Sequence, residues 1–203
     1  MCEGFYSFSR LILYQQLNLS ETKLIIALQQ KSETAFKELV DSYQTMVYNT
    51  VLGIVQQEQE AEDIAQEVFI QVYISIKDFR QDAKLSTWIY RIATTKALDW
   101  ERKKKTKKRF GQILNIFRVD NEPAYDIADF NHPGIQLEKK EQSVVLFKAL
   151  RELPENQRVA FILIKMEGLN YQETSEVMNT SVKAIEAYMH RAKINLQKMI
   201  DKK

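Results

Sequence analysis

Trp88, Tyr90 and Arg91 stand nearly side by side, and Lys96 and Arg102 follow in a stretch without proline or glycine. Aromatic faces beside positive charge are what a protein needs to hold unstacked bases next to a phosphate backbone, each stacked base returning ~1–3 kcal/mol. The plainer alternative is a core tryptophan followed by a solvated basic tail, the run KKKTKKR. A second constellation lies at 171–198, YQETSEVMNTSVKAIEAYMHRAKINLQK. It reads as a short helix, a break at 178–181 and a longer helix, which is helix-turn-helix spacing. In that motif the second helix enters a DNA major groove and its early outward residues meet base edges. Here those residues are Ser181, Lys183, Ala184, Glu186, Ala187 and His190. Arg191 and Lys193, with Arg158 from the preceding helix, are candidates to hold phosphates. Helical hairpins that bind no DNA share this pattern.

Other chemistries find less support. The acids Glu58, Glu60, Glu62, Asp63 and Glu67 are not spaced as inward-facing pairs, so they do not read as the metal site of a helical hydrolase. His132 and His190 lack metal-ligand spacing with each other, and Cys2 is the only cysteine. We expect no catalytic residue, no metal, no cofactor and no small-molecule substrate. The chain is therefore read as a non-enzyme. A lone cysteine suits a reducing cytoplasm. The apolar patch at 11–14 is too short to span a membrane, so no direct membrane insertion is expected. The 29 basic residues nearly balance the 27 acidic ones, so distribution says more than the net charge of +2. Acids gather at 58–67 and bases at 102–109, which gives the molecule two surfaces of opposite sign.

These residues need elements to carry them. With 5 Gly and 3 Pro in 203 residues, breakers are scarce and long helices are favoured. The predicted fold is all-α: an N-terminal helical bundle and a C-terminal helix-turn-helix body, joined by a flexible linker. Ser20 and Ser32 are predicted helix caps. Phe36, Leu39, Val40, Tyr43, Val47, Val51 and Ile54 recur at helical spacing, and Gly53 with the following Gln/Glu stretch predicts a break near 56–59. The helix over 60–78 has a stripe of Ala61, Ile64, Ala65, Val68, Phe69, Val72, Tyr73 and Ile76. Ile70 and Ile74 lie off that stripe, on a row with Asp63 and Glu67. Either this helix is buried on two sides, or the row is a docking surface for another protein. Ser86 is the predicted cap of the next helix, with Leu85 and Tyr90 as a hydrophobic staple. Residues 107–137 lose periodicity and read as a linker long enough for two domains to move independently. Beyond it, Pro154 fits a first helical turn, Gly168 a helix stop, Asn170 with Glu173 a capping box, and Asn179 a tight turn. Residues 1–19 read as an N-terminal extension.

The segments AEDIAQEVFIQVY, FRQDAKLSTWIYRIATTKALDWERKKK and LPENQRVAFILIKMEGLNYQETSEVMNTSVKAIEAYMHRAK resemble, in order, the two domains of bacterial extracytoplasmic-function sigma factors of the sigma-70 family. The resemblance covers about 20–105 and 138–200. It implies a sigma region 2 over 20–106 and a sigma region 4 over 138–203. It implies a factor that binds core RNA polymerase and directs promoter-specific transcription initiation. Asp63, Gln66, Glu67, Phe69 and Ile70 then match the segment that docks on the β′ clamp helices, with Ile74 on the same face. Trp88, Tyr90, Arg91, Thr94, Lys96 and Arg102 match the helix that recognises and opens the minus-ten element, with Thr95 and Asp99 as polar readers. The loop before it resembles one that captures a flipped base. The C-terminal body resembles the part that reads the minus-thirty-five element as duplex and docks on the β flap. The resemblance further implies an anti-sigma factor, commonly anchored in the inner membrane, and a bacterial cytoplasmic location.

Two departures matter. Glu186 and Tyr188 stand where many relatives carry basic residues. An acid there accepts from a cytosine amino group rather than meeting phosphate, so base preference does not carry over. The alternative function is an ordinary helix-turn-helix transcription regulator with a helical sensor domain. Such a regulator has no use for an exposed DIAQEVF face.

Overall fold

The computed structural model describes residues 21–114 and 140–200, and every regular element among them is helical. The expectations for Cys2, Ser20, the extension over 1–19, the linker over 115–137 and His132 lie outside the described residues.

Helix α1 (21–29) buries Ile25 and Leu28 and ends at Lys31, which turns the chain with a φ of 62°. The Ser32 hydroxyl then accepts from the Ala35 amide at 3.3 Å and starts α2 (Glu33–Val55). This is the predicted cap. Leu39, Val47, Val51 and Ile54 of the predicted apolar row are buried. From Asn49 to Val55 every residue of α2 is buried, because helices pack on both sides of it. Gly53 is therefore not a breaker. A Cβ there would meet Ile162 Cγ2 at 3.1 Å, so the glycine admits a close neighbour. The break comes at Gln56, with a φ of 54° and its amide closing on the Leu52 carbonyl.

Helix α3 (Glu58–Ser75) runs into a 3-10 turn (Ile76–Asp78). Ala61, Ile64, Val68, Val72 and Ile76 form its buried stripe. Tyr73 leaves the predicted stripe for the surface. Its ring meets Phe36 edge-on at 5.0 Å, and the Lys31 ammonium sits 4.0 Å from its centroid. Helix α4 (Leu85–Leu114) starts before Ser86, the predicted cap. The Leu85 amide donates instead to the Glu21 carboxylate of α1 at 3.0 Å, a partner remote in sequence. At its other end α4 continues through the basic run, past residue 106 where the linker was expected to begin.

The second body is α5 (Lys140–Glu152), α6 (Glu155–Phe161) widening into a π-helical turn (Ile162–Met166), α7 (Tyr171–Val177) and α8 (Val182–Ile200). Pro154 precedes α6 as its cap residue, Gly168 stops the π-turn with a φ of 75°, and Asn179 turns the chain with a φ of 49°. Both bonds of the Asn170–Glu173 capping box are present, and Ser181 Oγ accepts from the Ala184 amide to cap α8.

The bodies expected to move independently are in contact. Ile162 and Met166 of the π-turn reach Gly53, and Gln56 Nε2 donates to the Phe147 carbonyl at 3.1 Å. Buried side chains of α1–α4 and of α5–α8 belong to one continuous apolar core.

Candidate nucleic-acid interface

The outward row of α3 is laid out as its spacing requires. Positions 63, 67, 70 and 74 share one helix face. Asp63, Gln66 and Glu67 are exposed and Phe69 is half-buried at the margin of the core. Ile70 is 59% and Ile74 56% exposed, so the helix is not buried on two sides.

On α4 the predicted residues separate into two sets. Arg91, Thr95, Lys96 and Asp99 line a cleft of about 500 Å³ between α3 and α4, together with Glu67, Gln71, Trp100 and Lys103. Lys96 Nζ lies 3.4 Å from the Glu67 carboxylate. Gln71 and Lys103 were not singled out from sequence; Gln71 is one turn beyond Glu67, and Lys103 opens the basic run. Trp88 is half-buried with its ring centroid 4.9 Å from that of Phe79, so the loop ahead of α4 is anchored on it.

Tyr90 and Thr94 depart from expectation, because both are buried. They lie on the row of α4 that continues to Glu101, and this row faces the C-terminal body. The Tyr90 hydroxyl donates to Glu167 at 3.3 Å. Burial pushes the Glu167 carboxyl up to about 7, against the Tyr90 hydrogen bond, which lowers it. Burial, then the neighbouring Glu167, raises the Tyr90 phenol. The Thr94 hydroxyl has no hydrogen-bond partner.

Arg158 is likewise corrected. Rather than reaching solvent to hold phosphate, its guanidinium is buried and paired with Glu101 of α4, with a further bond to the Arg151 carbonyl at 3.5 Å. A sequence pattern cannot separate a buried interdomain arginine from a surface one on the same helix. Three exposed contacts flank this pair. Lys84 meets Glu173 at 2.9 Å, Arg91 Nη2 donates to the Glu176 carbonyl at 2.6 Å, and Arg102 meets Glu155 at 2.6 Å as well as Asp99 at 3.3 Å. The Lys84 bond, then the Asn170 amide, holds the Glu173 carboxyl below its ordinary range, and the Glu155 bond raises the Arg102 guanidinium.

Helix α8 presents its predicted face. Ser181, Lys183, Glu186, His190, Arg191 and Lys193 are exposed, and Ala184 and Ala187 are half-buried between them. Ile185, Met189, Ala192 and Leu196 form the buried side. Tyr188 is half-buried and its hydroxyl is 3.5 Å from Asn156 Nδ2, so this position supports α6 rather than standing free. Among the described residues no cluster of His, Cys, Asp and Glu is arranged to hold a metal ion, and no helix is long and apolar enough to cross a membrane.

Comparison with known proteins gives a consistent set of likenesses. Residues 39–107 match the Sigma-70 region 2 family, and residues 137–196 match Sigma-70, region 4. The chain is 30% identical over 180 residues to the ECF RNA polymerase sigma factor SigW of Bacillus subtilis, spanning 88% of this chain and 95% of that one. It is 28% identical over 184 residues to the RNA polymerase sigma-H factor of Pseudomonas aeruginosa, spanning 89% and 93%. In fold it is similar to CnrH, solved in complex with the cytosolic domain of CnrY, with a TM-score of 0.64 at 20% identity over 89% of this chain and 97% of that one. It is also similar to RpoE of Bartonella quintana, solved with the anti-sigma factor NepR, with a TM-score of 0.59 at 19% identity over 82% and 96%.

Proposed function

Because the chain belongs to the extracytoplasmic-function RNA polymerase sigma factors of the sigma-70 family, we propose that its separate exposed faces divide the work of promoter recognition and polymerase docking. The chain is a sigma factor that directs promoter-specific transcription initiation. It is a transcription initiation factor, and the phosphodiester chemistry is the polymerase's own.

The observation that carries the division is the exposed pair Ile70 and Ile74. A monomer gains nothing from holding two isoleucines in water one turn apart, while a partner surface that covers them gains their burial, ~25 cal/mol per Å². Asp63, Gln66 and Glu67 surround the pair with polar and acidic groups, which suits the β′ clamp helices. The cleft residues Arg91, Thr95, Lys96 and Asp99, with Arg102 beyond, supply charge and hydrogen bonds to the separated minus-ten strand. Trp88 sits beside the loop that would receive a flipped base. Strand opening exchanges pairing for stacking and pocket contacts. Tyr90 and Thr94 reach the strand only where the C-terminal body moves aside.

The exposed face of α8 reads the minus-thirty-five duplex. Lys183 and Glu186 meet base edges, His190 lies further along the face, and Arg191 and Lys193 contact phosphates. The C-terminal body docks on the β flap. An anti-sigma factor holds the protein back until a signal arrives; the fold it shares with two proteins solved in such complexes supports this. The working location is the bacterial cytoplasm, with recruitment to the inner membrane where the anti-sigma factor is anchored there.

The test is transcription by purified core polymerase on a genomic promoter library. Added protein should yield a discrete set of transcripts that core alone does not make. A protein that neither joins core nor changes the transcript set would overturn the proposal.

A further inference from the structure

The groups that α4 offers to a melted strand also hold the C-terminal body in place. Along α4, Lys84, Arg91 and Arg102 reach Glu173, the Glu176 carbonyl and Glu155, while the Tyr90 hydroxyl reaches Glu167. Between them the Glu101–Arg158 pair is buried, the side chains being 13% and 3% exposed. Carboxylate and carbonyl oxygens thus occupy, on cationic and phenolic donors, the places that phosphate and base oxygens would take. The other two faces stay open: Ile70 and Ile74 on α3, and the outward residues of α8.

We propose that the chain masks its own strand-binding face: α6, the π-turn and α7 form an intramolecular competitor of single-stranded promoter DNA. The closed form remains able to dock through α3 and to meet duplex through α8, and it accepts a melted strand only after the two bodies separate. This device acts without an anti-sigma factor, and it rests on the reading of α4 as the strand-binding helix. It ties two events by mass action. A partner that holds the bodies apart removes the competitor, so strand capture strengthens only after assembly.

The test uses full-length protein and a fluorescein-labelled oligothymidine strand of about 20 nucleotides, a sequence-tolerant probe. The variant Glu155→Gln, Glu167→Gln, Glu173→Gln weakens the closed form from the C-terminal side and leaves every proposed strand contact in place. Removing carboxylates also makes the protein more basic, so the charge-matched control is Glu33→Gln, Glu38→Gln, Asp41→Asn, at exposed positions of α2. Relative to that control, the latch variant should show a larger radius of gyration by X-ray scattering. Its probe affinity should rise about five- to tenfold, the inverse of the open fraction it restores. A radius unchanged from the control would overturn the latch. An expanded molecule whose affinity matches the control would overturn the competition. If the triple variant fails to fold, Glu155→Gln alone carries the same test with a smaller expected rise. Failure of the sigma-factor reading would appear separately, as absent transcripts with core polymerase.

Discussion

Arg158 and Lys84 both pair with a carboxylate across the two bodies, yet they belong to different physical regimes. The Lys84 side chain is 56% exposed, and screened pairs of that kind contribute ~0–1 kcal/mol. Arg158 and Glu101 are desolvated, so removing one partner strands a charge in a poorly hydrated site, at a cost of ~3–5 kcal/mol. Lys105 lies 3.9 Å from Glu101 and offsets part of that loss. Arg158→Ala is therefore expected to lower stability by about 3 kcal/mol, a Tm drop of roughly 6–12 °C. Lys84→Ala should stay within about 1 kcal/mol. Thermal melts of both variants check the contrast. A melting point unmoved by Arg158→Ala, with duplex affinity lost instead, would return that arginine to a phosphate-binding role.

Helix α3 shows how one element serves two solvents. Its buried stripe holds the N-terminal body together, and the exposed row of Asp63, Glu67, Ile70 and Ile74 lies on another face. Because the two sets do not overlap, function and stability separate on this helix. Ile70→Asp with Ile74→Asp should cut association with core polymerase more than tenfold, as loss of a central apolar anchor does. Stability should change by no more than about 0.5 kcal/mol per site, since exposed positions carry little of the fold. Competition binding to core, read beside a thermal melt, decides it. A fold that collapses on these changes would place the pair in the core instead.

At the scale of the whole molecule, the contact between the bodies contains a carboxyl titrating near neutrality. Glu167 is pushed up to about 7 by burial against Tyr90. Its folded value lies above the ordinary one of 4.5, so its neutral form favours the packed molecule. That contribution is fully present below about 4.5 and is lost as pH rises through about 7. Glu173, held low by Lys84, contributes in the opposite sense and only in the acid range, so it does not obscure this window. Between pH 5 and 8 the wild type is expected to lose about 2–3 kcal/mol from this group. Glu167→Gln keeps an acceptor for Tyr90 but cannot ionise, so its melting temperature should be flatter across that interval. An equal pH slope in both proteins would show that Glu167 does not ionise within the packed interface.

Much of the molecule was legible along the chain because short-range rules govern it. The Ser32 cap, the Asn170–Glu173 box, the Gly168 stop and the Asn179 turn each depend on residues within a few positions of one another. The outward placement of Ile70, Ile74 and the α8 face follows from helical period alone. What the sequence could not supply was the mutual placement of the two bodies. Gly53 gives way to Ile162, the start of α4 leans on Glu21, Tyr90 turns to Glu167, and Arg158 is buried against Glu101. Each joins residues far apart in the chain. Helical periodicity tells which face of a helix is apolar or charged, but only the packed structure decides what covers that face.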